Sequence, residues 1–394
     1  MTDISRLTRG LTTGIGTDTS HGAVVPPLHL SSNFSFEGYN QPRQYDYTRS
    51  GNPTRDLLSE ALATLEGGFG ASVTATGMGA ITLCLNALLT PTDTIVIPHD
   101  CYGGSWRLFD SLAARGQFRL RTVDYTNADD VAAAIADKPT VVWIETPSNP
   151  LLRLTDVRAV ADAAHAVGAT VVADNTFLSP ILQRPIELGA DVVVHSTTKY
   201  INGHSDVVGG AVIAATPELH EEIAYWNNTL GLTGAPFDSY LTLRGLRTLN
   251  ARLRSHQENA DAIIAAALEH AAVARVHHPS LPDHPGHEIA KKQQDGFGAM
   301  FSLELHGGAD AVRAFVADLH CFTLAESLGG VESLVAHPAT MTHASMTAEA
   351  REVAGIGDGL LRFSVGIECP EDLVAEFTTA LDRAHEAARV SATV

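Results

Sequence analysis

Residues 191–210 read DVVVHSTTKYINGHSDVVGG, and this stretch decides the fold class. Its opening run, DVVVHS, is apolar and β-branched until it meets polar residues, which is typical of a strand that is buried on both faces. Lys199 follows that strand directly. Because a lysine at the end of a buried strand is desolvated, its pKa falls and its amine becomes nucleophilic. The stretch therefore predicts a buried sheet with a reactive lysine at its edge.

Further short apolar runs of the same character precede and follow this stretch. They are TIVIP (94–98), FRLRTVDY (118–125), TVVWIET (140–146), TVVADNT (170–176) and AVIAA (211–215). Helical patterns such as LTDVRAVADAAHAVGA (154–169) separate most of them. Alternation of strands and helices predicts βαβ units and a largely parallel sheet. After residue 217 the pattern turns helical, and a smaller α/β region follows with strands at 298–305 and 360–367.

Composition and charge narrow the class of protein. The chain has 394 residues, 45% of them hydrophobic, which is enough for a large core. Its 26 Lys and Arg against 45 Asp and Glu give a net charge of −19, which argues against a nucleic-acid partner. Four scattered cysteines without a CxxC pair favour a reducing compartment. No secretory signal is recognisable, and no apolar run approaches about 18 residues, so we expect a cytoplasmic protein without a membrane segment.

Polar side chains follow nearly every predicted strand of the sheet. The clusters are His99–Tyr102, Glu145–Asn149, Asp174–Thr176 and Ser196–Lys199. Ligands of open α/β sheets bind beyond the carboxyl ends of the strands, so we expect the chemistry at this edge. A carboxylate such as Asp174 can keep a pyridinium nitrogen protonated, although it could equally cap the turn that follows.

A phosphate-binding position is predicted beside these clusters. Gly77 and Met78 begin a predicted helix (77–89), and the N–H groups and dipole of a helix N-terminus favour an anion. Ser196 and Thr198 add two hydroxyl groups next to Lys199. Tyr102 could stack on a planar ring or simply pack. The histidines of HHPSLPDHPGH (277–287) fit no standard zinc spacing, so we expect no metal.

Together these motifs resemble those of the Cys/Met-metabolism PLP (pyridoxal 5′-phosphate) enzymes, in the same order and over essentially the whole chain. The motifs are DYTRSGNPTRDLLSEALATLEGG (46–68), ATGMGA (75–80), HDCYGGSWRLFDSL (99–112), ETPSNPLL (145–152), VVADNTFLSP (171–180), HSTTKYINGHSDVVGG (195–210), AESLGGVESLVAHPATMTHASM (325–346) and LLRFSVGIE (360–368). The resemblance implies a type I PLP-dependent transferase fold of the aspartate-aminotransferase kind. It also implies a homotetramer, built as a dimer of dimers with shared active sites.

The resemblance divides the chain into three parts. Residues 1–55, rich in Gly, Thr, Asn and Pro, are expected to form an N-terminal arm that reaches the neighbouring subunit. Residues 56–250 are expected to form the PLP-binding domain with the mostly parallel sheet. Residues 251–394 are expected to form the smaller C-terminal α/β domain.

The cofactor contacts also follow from the resemblance, residue by residue. It implies that Lys199 is the Schiff-base lysine and the proton shuttle, that Asp174 pairs with the pyridinium nitrogen, and that Tyr102 stacks on the ring. Asn149 is expected near the ring's O3′. The remaining implied cofactor contacts are Thr176, then Gly77, Met78, Ser196 and Thr198 at the phosphate, with Tyr47 and Arg49 reaching it from the neighbouring subunit.

The substrate contacts are expected on both sides of the cofactor. Arg362, with Ser327, is the implied clamp for the substrate α-carboxylate, since Arg pairs with a carboxylate through two hydrogen bonds. Glu326 precedes Ser327 and is expected to contact the substrate. Arg107 and Arg49 are our candidates for the far carboxylate of a succinyl group, although a salt bridge is the commoner role for an arginine such as Arg107 in an acidic chain.

The family offers several reactions on one scaffold, and the sequence favours γ-replacement. Gly104 stands where methionine γ-lyases carry a reactive cysteine, and β-lyases usually lack a residue like Glu326. We therefore expect O-succinyl-L-homoserine and L-cysteine to give L-cystathionine and succinate in methionine biosynthesis, with Tyr102 accepting a proton from the incoming amine. The alternatives are γ-elimination of cystathionine and a non-catalytic PLP-binding scaffold.

Overall fold

A computed structural model describes residues 4–344, 346, 351–352 and 354–391. The first sheet contains the strands β1 (Gly70–Thr74), β2 (Thr94–Pro98), β3 (Arg119–Val123), β4 (Val141–Glu145), β5 (Thr170–Asp174), β6 (Val192–His195) and β7 (Gly210–Ala214). Their order is β1-β7-β6-β5-β4-β2-β3. Strands β2 to β6 pair in parallel, whereas β7 runs antiparallel to both β6 and β1. The predicted mostly parallel sheet is therefore confirmed.

Helices cover both faces of this sheet. In the described residues they are α1 (Arg6–Thr12), α2 (Pro53–Glu66), α3 (Gly77–Leu88), α4 (Gly103–Ala114), α5 (Ala128–Ala136), α6 (Val157–Ala166), α7 (Ser179–Leu182), α8 (Pro217–Leu230) and α9 (Pro236–Leu246). Successive strand residues point to opposite faces. In β6, accordingly, Val193 packs into the core with α2 and α6, whereas Val192 and Val194 pack into the core with α3. This two-sided burial explains the uninterrupted apolar runs.

A second, smaller sheet lies in the C-terminal part of the chain. Its strands are β8 (Val273–His277), β9 (Met300–Leu305), β10 (Phe322–Leu324), β11 (Ser333–Ala336) and β12 (Leu360–Ser364), in the order β10-β11-β12-β9-β8. The accompanying helices are α10 (Leu249–Leu268), α11 (His287–Gln293), α12 (Gly308–Phe315) and α13 (Pro370–Ser391). The phenylalanines 301, 315, 322, 363 and 377 pack together in its core. The predicted second α/β region is confirmed.

Helix α10 joins the two cores. Its first turns place Leu249 and Leu253 in the core of the large sheet, whereas Ile263 and Ile264 lie in the core of the small sheet. One apolar stripe along a 20-residue helix therefore packs against both layers. The division at residue 250 that we predicted falls at the start of this helix, and the three-part division stays a prediction.

The residues before α2 lie over the surface. Helix α1 packs on the large domain through Leu7 and Leu11, so this part of the predicted arm contacts its own chain. Farther along, the apolar side chains of Val24 and Leu30 and the ring of Tyr39 expose 67%, 66% and 101% of their surface. Among the described residues, no helix is both long and apolar enough to cross a membrane.

Candidate active site

A cavity of about 540 Å³ opens at the carboxyl ends of β4, β5 and β6 and at the N-terminus of α3. The predicted site residues that line it are Gly77, Met78, Tyr102, Asn149, Asp174, Thr176, Ser196, Thr198, Lys199, Glu326, Ser327 and Arg362. Parallel strands bring their carboxyl ends to one edge, which explains why residues far apart in sequence meet here. Glu326, Ser327 and Arg362 come from the C-terminal part, so both halves of the chain build the cavity.

Lys199 lies in the turn after β6 with its amine inside the cavity. Its Nζ donates a hydrogen bond to Ser327 Oγ at 2.7 Å. Burial, together with the positive charge of Arg362, lowers the pKa of Lys199 to about 8, against the opposing effect of Glu326. A lysine with this pKa exchanges protons readily near neutral pH and offers a nucleophilic neutral amine.

Asp174 ends β5, and the backbone N–H of Thr176 donates to its Oδ1 at 3.0 Å. Burial raises the pKa of Asp174, whereas the hydrogen bonds from Thr176 oppose that rise. Hydrogen-bond donors that favour the ionised form are what a carboxylate needs if it is to pair with a cationic ring nitrogen.

Tyr102 precedes α4 and presents its ring to the cavity, with 44% of its surface exposed. Its backbone N–H donates to Glu145 Oε2 at 2.8 Å, which fixes the loop that carries the ring. A Cβ atom added at Gly104 would lie 2.5 Å from Tyr102 Cε1 and 3.2 Å from Met78 Sδ. Gly104 therefore lets the tyrosine ring lie close to the backbone of α4, which any larger residue would prevent.

The N-terminus of α3 forms an anion cradle with the turn after β6. Thr76 caps the helix by accepting from Gly79 N at 2.7 Å, which leaves the first-turn N–H groups of Gly77 and Met78 facing the cavity region. A Cβ atom at Gly77 would lie 2.8 Å from Ser196 Cβ, so only glycine allows this approach. Thr198 Oγ1 accepts from Gly209 N at 3.0 Å, which holds the opposite wall.

Arg362 lies in the middle of β12 and is 97% buried, since only 3% of its surface is exposed. Its Nη1 donates to Asn149 Oδ1 at 3.0 Å and its Nη2 donates to the Ser327 carbonyl oxygen at 2.8 Å. Ser327 has a φ of 80°, a strained value that a serine keeps only where the surroundings hold it. Burial lowers the pKa of Arg362 to about 10, so it remains a cation at neutral pH. Within the described chain its buried Nε has no partner.

Tyr47, Arg49 and Arg107 do not line this cavity. Arg49 Nη1 donates to the backbone and side-chain oxygens of Asn228 at 2.9 and 2.7 Å, and its guanidinium lies 5.7 Å from the Tyr47 ring centre. Arg107 is exposed on α4. Within one chain, therefore, Tyr47, Arg49 and Arg107 lie outside the cavity that the other predicted site residues line.

The cavity also contains residues that sequence reasoning did not assign. Glu145 is buried, and burial together with the negative charge of Asp174 raises its pKa well above the ordinary value, which favours its neutral form. Its position at the end of a predicted strand was a usable signal. Phe177 and Thr342 line the same wall, but nothing in the local pattern distinguishes them from packing residues.

These groups fit pyridoxal 5′-phosphate. The cavity offers an amine for the aldehyde, a carboxylate for the ring nitrogen, an aromatic ring to stack, and a glycine-lined helix N-terminus with hydroxyl groups for the phosphate. The unpaired Nε of buried Arg362 adds a donor for an anionic substrate. A pocket with this donor set suits an amino acid bound next to the cofactor.

Comparison with known proteins agrees with this chemistry. Residues 8–382 match the family described as Cys/Met metabolism PLP-dependent enzyme. The chain is 55% identical to the cystathionine gamma-synthase of Escherichia coli (strain K12), over 95% of this chain and 97% of the relative. It is 46% identical to the cystathionine gamma-lyase of Dictyostelium discoideum, over 94% and 96%.

A solved structure shows the same fold at high identity. The cystathionine gamma synthase of Xanthomonas oryzae pv. oryzae, in complex with aminoacrylate and cysteine, superposes with a TM-score of 0.97 at 64% identity, over 98% of this chain and 100% of that one. The chain therefore belongs to the Cys/Met metabolism PLP-dependent enzyme family, and pyridoxal 5′-phosphate is its cofactor.

Proposed function

We propose that the chain catalyses γ-replacement, in which L-cysteine displaces the acyl group of O-succinyl-L-homoserine to give L-cystathionine and succinate in methionine biosynthesis. One observation carries the proposal. The 64% identical Xanthomonas oryzae protein bears the name cystathionine gamma synthase and was solved both with cysteine and with cystathionine. The match covers 100% of that solved chain.

Arg362 binds the α-carboxylate of the amino acid in this proposal. Its guanidinium is held between Asn149 and the Ser327 carbonyl, so it is oriented before the substrate arrives. Because the guanidinium is already held in place, less conformational entropy is lost when it pairs with the substrate carboxylate. When bound, PLP supplies the electron sink that stabilises negative charge at the substrate's α-carbon.

Lys199 moves the protons. With a pKa of about 8, a useful fraction of its amine is neutral and can remove the α-proton, then help to remove a β-proton. Ser327 Oγ, 2.7 Å from Nζ, holds the amine on the side of Arg362. The succinyl group leaves as succinate, the cysteine thiolate forms the bond to Cγ, and the protons return to the carbon atoms from which Lys199 took them.

Tyr102 and Glu326 serve the amine end of the substrate. The phenol of Tyr102 is partly exposed and lines the cavity, which suits a group that accepts a proton from the incoming amine. Glu326 lies beside Lys199 and Arg362 and acts to raise the pKa of both, against the effect of burial. It can therefore favour a cationic amine at that end of the cavity.

We extend the proposal to the assembly. The exposed apolar residues of the N-terminal segment, and the position of Tyr47 and Arg49 outside the cavity of their own chain, support an arm that completes the phosphate site of a neighbouring subunit. A homotetramer built as a dimer of dimers would bury the exposed segment against a neighbour and would bring Tyr47 and Arg49 to that neighbour's site. The free cysteines of the chain support a reducing, cytoplasmic location.

γ-Elimination of cystathionine is the second candidate, because the Dictyostelium lyase is as similar as several synthases at 46% identity. Steady-state kinetics with O-succinyl- and O-acetylhomoserine, each with and without cysteine, decide between them. We expect cystathionine to form only with both substrates, and faster from the succinyl donor. Rapid release of 2-oxobutanoate from cystathionine alone would contradict γ-replacement. If the protein binds PLP but turns over none of these substrates, only the non-catalytic scaffold remains.

A further inference from the structure

The turn that follows β4 carries Asn149, but the C-terminal part of the chain holds it in place. The backbone oxygen of Asn149 accepts from His343 Nε2 at 3.1 Å. The next backbone oxygen, that of Pro150, accepts from Ser302 Oγ at 2.7 Å. Leu151 then packs into an apolar cluster with Ala339, Ala354, Ile356 and Leu360. Three successive residues of this turn are therefore fixed by the smaller domain.

His343 and Arg362 both bind Asn149. Arg362 Nη1 donates to the side-chain oxygen of Asn149 at 3.0 Å, whereas His343 Nε2 donates to its backbone oxygen. His343 is only 1% exposed, so water does not compete for this contact. An acceptor can orient a guanidinium only if its own position is fixed by further contacts. His343 therefore fixes the residue that orients Arg362.

The partners of the two ring nitrogens define the tautomer of His343. A carbonyl oxygen can only accept, so Nε2, which lies against the backbone oxygen of Asn149, carries a proton. Nδ1 lies 2.8 Å from Thr342 Oγ1, whose hydroxyl group can donate to it. Burial, then the positive charge of Arg362, lower the pKa of His343 to about 4, against the opposing effects of Asn149 and Asp100. The imidazole is therefore neutral at neutral pH, with its proton on Nε2.

A neutral donor suits this position beside the cavity. Arg362 already places a positive charge there, and that charge helps to lower the pKa of Lys199. His343 adds a hydrogen bond without adding a second charge. Thr342, Asn149 and Arg362 line the cavity, whereas His343 is not among the described residues that line it. Any effect of His343 on a bound substrate must therefore pass through the residues that it contacts.

We propose that His343 is a positioning residue for the substrate α-carboxylate, because its Nε2–H holds Asn149 and Asn149 in turn holds the guanidinium of Arg362. The inference rests on the proposed role of Arg362 in binding that carboxylate and not on the choice of reaction. Loss of the Nε2 donor should therefore weaken the binding of ligands that have a carboxylate and spare the binding of amines that lack one.

Two matched ligands of the holoenzyme test the proposal. L-2-Aminobutyrate has the α-carboxylate but no leaving group at Cγ, and propylamine is the same molecule without the carboxylate. Titration with each ligand, followed by the visible absorption of the cofactor, gives a dissociation constant without product formation. We expect His343→Ala to raise the constant for aminobutyrate by about tenfold, the range of one hydrogen bond to a charged group, and to leave that for propylamine unchanged.

Two further replacements test which ring nitrogen matters. Glutamine places an amide nitrogen as many bonds from Cβ as Nε2 of histidine, whereas asparagine places one at the distance of Nδ1. His343→Gln should therefore restore the binding of aminobutyrate, and His343→Asn should bind it as weakly as His343→Ala does. Equal binding by the glutamine and asparagine variants would overturn the proposal. This comparison also decides the matter if the alanine variant does not fold.

His278→Ala is the control for stability, because His278 is 0% exposed but bonds Ser280 in the loop between β8 and α11. It should lower the unfolding temperature and leave the ratio of the two dissociation constants unchanged. If His343→Ala weakens the binding of both ligands equally, the contact serves stability alone and the proposal fails. If Arg362→Gln weakens only aminobutyrate binding while His343→Ala does not, the failure belongs to His343. If Arg362→Gln is not selective either, the proposed role of Arg362 is wrong as well.

Discussion

At the scale of single residues, burial tunes the groups of the cavity. Lys199 and Arg362 are both desolvated cations, yet burial affects their function differently. The pKa of Lys199 falls to about 8, which makes it a proton carrier, whereas that of Arg362 falls only to about 10, which leaves it a cation at neutral pH. The same physical cause therefore separates a catalytic role from a binding role.

The pH dependence of imine formation tests this view of Lys199. Only the neutral amine attacks an aldehyde, and its fraction rises with pH through the pKa. We expect the rate of PLP attachment to cofactor-free protein to reach half of its maximum at about pH 8, well below the ordinary lysine value of 10.5. Absorbance stopped-flow measures it, with Lys199→Ala as the blank. A midpoint at the ordinary value would show that the amine is not desolvated.

Arg107 carries a separate prediction about donor choice. If it binds the far carboxylate of the succinyl group, Arg107→Ala should lower kcat/KM for O-succinylhomoserine by about tenfold, the range of a charged hydrogen bond, and spare O-acetylhomoserine. Arg115→Ala is the control, since Arg115 is also exposed but lies at the C-terminal end of the same helix. If Arg107→Ala left the preference for O-succinylhomoserine over O-acetylhomoserine unchanged, Arg107 would not bind the succinyl carboxylate.

At the scale of elements, the site depends on close approaches between a helix start and a strand end. Helix α3 begins at Gly77 directly against Ser196, the first residue after β6. The helix N-terminus and the hydroxyl groups therefore surround the same small volume. This close approach is possible because Gly77 has no side chain.

Gly77→Ala tests the approach. The added Cβ would lie 2.8 Å from Ser196 Cβ and 2.9 Å from Ser196 Oγ, so the helix start must move away from the turn. We expect the dissociation constant of PLP to rise about tenfold, in line with the cost of overpacking. Gly357→Ala, where an added Cβ meets nothing within 4 Å, should leave it unchanged. Equal constants for both variants would show that the phosphate lies elsewhere.

At the scale of the whole molecule, both sheets and their helices surround one cavity, whereas the described N-terminal segment of the same chain contributes no residue to its lining. Residues 326–328, 342 and 362 come from the C-terminal part, and the remaining lining comes from the large sheet and the elements beside it. Arg49, by contrast, bonds Asn228 outside the cavity of its own chain. The assembly that we propose, in which a second subunit completes the site, would account for both the exposed segment and this separation.

Mixed assemblies test the shared site. Lys199→Ala and Arg49→Ala should each be nearly inactive alone, but a hybrid dimer contains one site with neither substitution. We expect activity to return when differently tagged variants are coexpressed and the hybrid is purified through both tags. A hybrid that forms but stays inactive would place Arg49 at the active site of its own chain.

Much of this protein could be predicted from local pattern. DVVVHS and the runs like it indicated strands buried on both faces, and parallel strands must bring their carboxyl ends together, so Lys199, Asp174 and Asn149 could be expected in one cavity. β1, β8, β10 and β11 were missed. β8 and β10 are partly exposed, and β1 reads GASVT, so these three lack an uninterrupted run of large apolar residues. Their pairing depends on neighbours rather than on their own residues.

The sequence by itself therefore determined the α/β class, the reactive lysine and the cofactor. Only the tertiary structure decided which distant groups touch. Arg362 meets Asn149 across 213 residues, and His195 meets Glu66 across 129. Periodicity reports which face of a strand or helix is buried, since that is a local property of the chain. The partner of a buried charge is set by how α2, β6 and β12 pack, which no local pattern contains.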